Sequence, residues 1–368
     1  MKMKLKKILL PLLSILIGLL LTLILLELIF RVLPTRESLK VLPVNSNNPV
    51  IRFAPNRDVI WSSGVGFSII TKKHVNNYGF LNDQNYSKEA TSPLLAIIGD
   101  SYVAAKQVEN NESMHGILSS KTKRKGRVYS FASSGSPLST YLAYSEYTKQ
   151  FNPKGLAFII IGNDFDESLL KYKKDPAFHY FQQKENRLVL TRVDYHSSFI
   201  KDIARKSALI RYLTYNAPLK ALLGATKATP IDKKIKYVGN TQAGFTQERL
   251  EDSQNAVNRF FELLPTKTNL PKEKILFVMD GIRPNLYAKQ SLKESRGSYF
   301  DIMRQYFIKT ATTKGYEVLD MQPHFIKAHQ EDNRTFEFPT DAHWNKEGHK
   351  LVAEKIANSN VYKEVFKP

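Results

Sequence analysis

Serine, histidine and aspartate are the residue types of an acyl-transfer site, and this chain carries them beside the ends of short apolar runs. Ser101 completes Gly99-Asp100-Ser101 directly after Leu94–Ile98. At a strand tip its hydroxyl would stand exposed, and its backbone N–H would lie at the positive end of the next helix, where an oxyanion is held. Asp and Ser are also favoured helix caps, so the tripeptide by itself reads equally as a cap. Gly135 follows Val128–Ala132 and offers an N–H that no side chain obstructs; Asn163 follows Leu156–Ile161 and offers a side-chain amide. With the amide of Ser101 these are three donors for one oxygen. A loop needing positive φ accounts for Gly135 as simply, and a cap or turn accounts for Asn163-Asp164. His343 is the candidate base and Asp341 the group that orients it; two residues apart on an extended segment, both side chains lean the same way. His324, His329, His343 and His349 raise a metal reading. The six-residue step from His343 to His349 does not stack them on one helical face, and no H-E-x-x-H pair occurs, so no metal is expected. No other cofactor is expected either.

The elements that must position these residues are legible in the apolar pattern. Leu94–Ile98, Val128–Ala132, Leu156–Ile161, Ile275–Met279 and Tyr316–Leu319 are short and rich in Ile, Val, Leu and Phe, the composition of strands buried on both faces. Amphipathic stretches near 102–120, 138–151, 246–264 and 296–313 separate them, and a last helix is expected at about 344–358. Alternating strands and helices predict an α/β fold, a mainly parallel sheet covered by helices on both sides, whose ligands sit where strands end. Residues 165–245 are too long for a simple crossover. They hold a helical stretch near 197–223 that reads as a cap over the pocket, as a membrane-facing surface, or as a subdomain that merely packs.

Composition narrows the setting. With 42% hydrophobic and 24% charged residues the chain is globular, not disordered. The absence of cysteine excludes a disulfide scaffold, a thiol nucleophile and thiolate zinc sites. A net charge of +20 favours anionic partners, whether nucleic acid, acidic headgroups or acidic envelope polymers. The N-terminus selects the membrane. Lysines at positions 2, 4, 6 and 7 precede an uncharged run from Ile8 to Leu26, which as a helix reaches ~28 Å, about the hydrocarbon thickness of a bilayer. No small-x-small cleavage pattern follows, so an uncleaved anchor is expected in place of a signal peptide. The lysines keep the tail in the cytoplasm and send the rest across the cytoplasmic (inner) membrane, to the periplasmic or extracytoplasmic side. The expected organisation is a cytoplasmic tail at 1–7, a transmembrane helix at 8–30, a Pro-containing connector and extension at 31–92, and the enzymatic domain at 93–368 with its insertion at 165–245. Membrane lipid is the expected partner through the helix, with envelope-assembly proteins as further partners, and no nucleic acid.

In order and position these fragments resemble the SGNH (GDSL-type) hydrolases over about residues 94–358. Gly99-Asp100-Ser101 is similar to the family's first block, Gly135 and Asn163 to the second and third, and Asp341 with His343 to the last. The resemblance implies a three-layer α/β/α sandwich with a five-stranded, flavodoxin-like sheet. It implies a serine esterase with Ser101 as nucleophile, His343 as base, Asp341 as acid, and an oxyanion hole of Ser101, Gly135 and Asn163. Trp344-Asn345 and Gly348 are similar to a variant of envelope-associated members, and Asn77-Tyr78-Gly79-Phe80 to a feature of membrane-anchored bacterial ones. Two departures stand out. Ile161 occupies the usual glycine position of the third block, and only Ala342 separates Asp341 from His343 where the family has two residues. The second leaves open a Ser101–His343 dyad whose ring is oriented by a backbone carbonyl. The implied substrate is an ester-bearing glycan or lipid of the cell envelope. An O-acyltransferase on envelope polysaccharide, and a non-catalytic glycan-binding assembly protein, are the alternatives.

Overall fold

The computed structural model describes residues 2–122, 126–217, 246–283 and 285–367. They form two compact units. The smaller is made of the described parts of Met1–Ser38, Val59–Lys72 and Ser197–Lys227; the larger is made of the described parts of Leu39–Asp58, Lys73–His196 and Ala228–Pro368. Strands β1 (Arg57–Ser63) and β2 (Ile69–Val75) pair as a two-stranded sheet.

In the larger unit, β3 (Leu94–Gly99), β4 (Arg127–Ala132), β5 (Gly155–Ile160), β8 (Ile275–Met279) and β9 (Glu317–Asp320) form a five-stranded sheet in the order β4-β3-β5-β8-β9. Every neighbouring pair is parallel. All residues of β3, β4, β5 and β8 are buried, as a sheet covered on both faces requires. Helices Leu138–Thr148, Gln247–Thr268 and Tyr299–Thr313 pack on one another in one layer, and Met114–Lys121, Lys346–Ala357 and Asn360–Val365 in another. The result is the α/β/α arrangement expected from the apolar runs. The first strand lies inside the sheet with the second on one side and the third on the other, the doubly wound order whose switch point opens a crevice at the strand C-termini. Gly99 lies opposite Ala132, and Ile98 opposite Phe158, so β4, β3 and β5 end side by side. Ser101, Gly135 and Asn163 leave from these three ends.

Several local expectations shift, each for a visible reason. The helix expected over 102–120 is interrupted. A first turn, Ser101–Ala104, ends where Ala105 adopts the left-handed conformation with φ 47°, and after a 3-10 turn at Asn110–Glu112 the next α-helix starts at Met114, capped by Ser113. The loop so freed carries Gln107. The helix expected to close the chain begins at Lys346, because Trp344 ends strand β11 (Asp341–Trp344), which pairs with β10 (Glu337–Phe338), and Asn345 caps the helix by accepting from Gly348 N; it is not the last, since Asn360–Val365 follows it. Within the expected connector, residues 39–58 and 73–92 pack in the same unit as the sheet. Phe80 and Tyr86 are buried against Phe131, and Tyr86 stacks on Tyr129 with 3.8 Å between ring centres. The turn before them needs Gly79: at φ 83° a Cβ would sit 2.2 Å from Phe53 O. Residues 165–196 hold an antiparallel hairpin, β6 (His179–Lys184) and β7 (Arg187–Arg192), that no signal announced. Residues 218–223, the end of the helical stretch read near 197–223, lie outside the described residues.

In the smaller unit, helix Lys2–Val32 contains a span, Leu9–Val32, long and apolar enough to cross a membrane. Its one acid, Glu27, accepts hydrogen bonds from Ser207 Oγ, Ala208 N and Leu209 N at 2.7–3.0 Å and so caps the short helix Ala208–Arg211. Phe30 stacks on Tyr212 at 4.0 Å.

Candidate active site

Ser101 and His343 are 242 residues apart in the chain, and their side chains meet: Ser101 Oγ lies 2.7 Å from His343 Nε2. The meeting is built from local rules. Asp100 caps the turn after β3 by accepting from Tyr102 N at 2.9 Å, which leaves Ser101 on the first helical position with its hydroxyl outward. Asp341 and His343 are alternate residues of β11 and share a face, so the Asp341 carboxylate reaches His343 Nδ1 at 2.5 Å and also accepts from His343 N at 2.9 Å. A carboxylate at Nδ1 selects the tautomer with the proton there and leaves the Nε2 lone pair facing the serine hydroxyl. The shortened spacing at Ala342 therefore still puts a carboxylate, not a backbone carbonyl, against the ring.

Gln107 completes this corner. Its Nε2 donates to Asp341 Oδ2 at 3.1 Å, and the residue is buried. Burial pushes the Asp341 carboxyl up, but the bond and charge of His343, the His343 backbone N–H and the Gln107 amide outweigh it and hold it at about 2. Nothing in the sequence singles out Gln107, because its place depends on the break at Ala105.

Asp100 is the second acceptor for the serine proton, with Oδ2 3.1 Å from Ser101 Oγ. Burial raises its carboxyl, and the Tyr102 amide, the His343 charge and Ser101 only partly offset this, leaving it at about 6. The sign for stability follows. Below about pH 4 the group is protonated folded and unfolded; between about 4 and 6 only the folded state keeps the proton, so stability falls as pH rises through that window, by ~3 kcal/mol in all. Asp100→Asn is neutral and is expected to remove this slope. Urea midpoints of the detergent-solubilised protein at pH 4 and pH 6.5 check it: wild type should lose stability relative to the variant at the higher pH, and an unchanged difference excludes the effect.

Gly135 and Asn163 are joined through Lys173. Lys173 Nζ donates to Gly135 O at 2.9 Å and to Glu167 Oε2 at 2.6 Å, while Asn163 Nδ2 donates to the same Glu167 oxygen at 3.3 Å. Gly135 has φ 79°, a conformation in which a side chain is strained. Asp164 is structural: its carboxylate accepts from Ile161 N and Tyr141 Oη at 2.8 Å each and shapes the loop that presents Asn163. Asn163→Ala is expected to slow ester turnover by ~10²–10³-fold, the scale of one oxyanion donor, and Glu167→Gln by less than ~10-fold. Steady-state rates on a p-nitrophenyl ester test this; an unchanged rate in Asn163→Ala removes it from the hole.

A buried ion cluster supports the histidine strand. Arg283, fully buried, donates to both oxygens of Asp280 at 3.2 and 2.9 Å and to Glu337 Oε2 at 3.2 Å. Trp344 Nε1 donates to Asp280 Oδ1 at 3.1 Å, and Tyr102 Oη donates to Ala342 O at 3.0 Å. These contacts tie β11 to the end of β8 on one side of His343 and to the helix turn after β3 on the other. Asp280 directly follows the apolar run Ile275–Met279; nothing in the sequence singles out Arg283. Of the histidines weighed for a metal, His349 is buried and accepts from Met114 N, and no metal-binding group of three or more occurs among the described residues.

No family model and no curated protein matches the chain. Solved structures do. One is a member of the lipolytic protein G-D-S-L family from Veillonella parvula, 10% identical, covering 73% of this chain and 97% of its own, with a TM-score of 0.36. Others are the acetyl xylan esterase AlAXEase, 14% identical over 72% of this chain and 98% of its own with a TM-score of 0.38, and the lipase Lip_vut3 from a goat rumen metagenome, 12% identical over 73% and 97% with a TM-score of 0.40.

Proposed function

We propose that this protein is a membrane-anchored serine esterase that removes acyl groups from an ester-bearing glycan or lipid of the cell envelope. The observation that carries the reading is the line Ser101 Oγ, His343 Nε2, His343 Nδ1, Asp341 Oδ1, with separations of 2.7 and 2.5 Å at its two hydrogen bonds. His343 takes the Ser101 proton as the oxygen attacks the ester carbonyl. The C–O bond to the alcohol breaks, and His343 returns the proton to the leaving oxygen. Water then attacks the acyl-enzyme with His343 again as base and frees the acid. The amides of Ser101 and Gly135 and the side chain of Asn163 hold the oxyanion in both steps. The apolar helix Leu9–Val32 keeps the protein in the cytoplasmic membrane with the N-terminus inside and the enzymatic domain outside. Its partners are the surrounding lipid, the substrate and envelope-assembly proteins.

The test is a pre-steady-state assay of the full chain in detergent with a short p-nitrophenyl ester. A burst of p-nitrophenol, with the acyl group found by mass spectrometry on the peptide containing Ser101, is expected; turnover with no acylated peptide overturns the mechanism. Adding an envelope glycan separates the acceptors: released acid marks a hydrolase, acylated glycan an O-acyltransferase.

A further inference from the structure

The smaller unit holds every large apolar side chain that is exposed among the described residues. Beyond the anchor helix and Leu33 these are Ile60, Val65, Ile70, Phe199, Ile200, Ile203, Ile210 and Leu213. Phe199 and Ile200 are 78% and 77% exposed. Scattered exposed apolar residues need no explanation, but their confinement to the unit that carries an apolar span does. We propose that residues 199–213 and the β1–β2 turn form a second membrane contact, lying in the headgroup layer of the leaflet where the anchor ends; this rests on the anchor reading above.

The geometry gives the surface a direction. On the helix Phe199–Ala204, residues 199, 200 and 203 project to one side, while Lys201 and the ion pair of Asp202 with Arg205 at 3.0 Å lie on the other. The next helix, Ala208–Arg211, packs against the end of the anchor. Glu27, one turn before the anchor's end, caps Ala208–Arg211; Tyr212 stacks on Phe30 and donates to Val65 O at 2.9 Å, in the β1–β2 turn. Arg36 lies over the rings of Trp61 and Tyr215, each 5.0 Å from the ring centre, the mixture of aromatic and basic groups suited to an interface. Between 199 and 213 four basic residues, Lys201, Arg205, Lys206 and Arg211, face one acid, Asp202, so anionic headgroups complement the rim.

The chain has no cysteine, so a single introduced thiol labels cleanly. Full-length Phe199→Cys, Ile200→Cys, Lys201→Cys and Leu20→Cys variants, each carrying an environment-sensitive fluorophore, are reconstituted in phosphatidylcholine–phosphatidylglycerol vesicles. Nitroxide lipids spin-labelled at the headgroup or deep in the tail are the quenchers. The expected result is several-fold stronger headgroup quenching at 199 and 200 than at 201, with deep quenching at 20. Equal quenching on both faces of the helix, or blue-shifted but unquenched probes at 199 and 200, overturns the proposal; the latter means a protein covers the patch. No deep quenching at 20 overturns the anchor reading as well, and so separates the two failures.

Discussion

Ser101→Ala is expected to lower hydrolysis of a p-nitrophenyl ester by at least ~10⁴-fold and to abolish covalent labelling by a fluorophosphonate, with the circular dichroism spectrum unchanged. The size follows from the loss of the proposed nucleophile, since donors and binding alone leave a small residual rate. The fold should tolerate the change: it is Asp100, not Ser101, whose carboxylate caps the helix turn, and among the described residues Ser101 Oγ bonds His343 and Asp100. Because serine and histidine act as one unit, adding His343→Ala to Ser101→Ala should cost little further. Retained hydrolysis by folded Ser101→Ala ends the nucleophile assignment. Wild-type protein that neither labels nor turns over a panel of esters favours the binding-protein alternative.

Asp341→Asn is expected to be the next largest loss, up to ~10⁴-fold in kcat at neutral pH. The carboxylate fixes the proton on His343 Nδ1 at 2.5 Å and stabilises the imidazolium that forms when Ser101 is deprotonated; an amide holds the position and stabilises the wrong tautomer. A loss under ~10-fold shows instead that the Ser101–His343 dyad suffices. Because Asp341 is held at about 2, the stability its bonds supply is complete above the unfolded value near 4 and is lost as pH falls from about 4 to about 2. Activity lost between pH 7 and 4 therefore cannot come from Asp341, and its acid limb should persist in a variant lacking the Gln107 amide, Gln107→Leu.

Much of the fold was legible because buried parallel strands leave short runs rich in Ile, Val, Leu and Phe at regular intervals between longer amphipathic stretches, and all residues of β3, β4, β5 and β8 prove buried. Ser101 and Asn163 could be picked out because a doubly wound sheet presents ligands at strand ends. His343 and Asp341 could be picked out because strand alternation puts neighbours two apart on one side. These are properties of one segment at a time. What sequence could not carry was pairing at a distance. Gln107 reaches Asp341 only because Ala105 turns left-handed and breaks the helix, and Arg283 finds Asp280, Glu337 and the histidine strand only once β8 and β11 are packed. Lys173 likewise links Gly135 to Glu167 across a loop of ordinary composition.

By itself the sequence determined the strands of the parallel sheet, the residues at their tips and the apolar helix at the start of the chain, since each follows from short-range sterics and hydrophobic periodicity. The tertiary structure alone decided that a hydroxyl and an imidazole 242 positions apart share a proton, and which polar groups hold them there, because a hydrogen bond depends on separation in space, and chain order does not encode that directly.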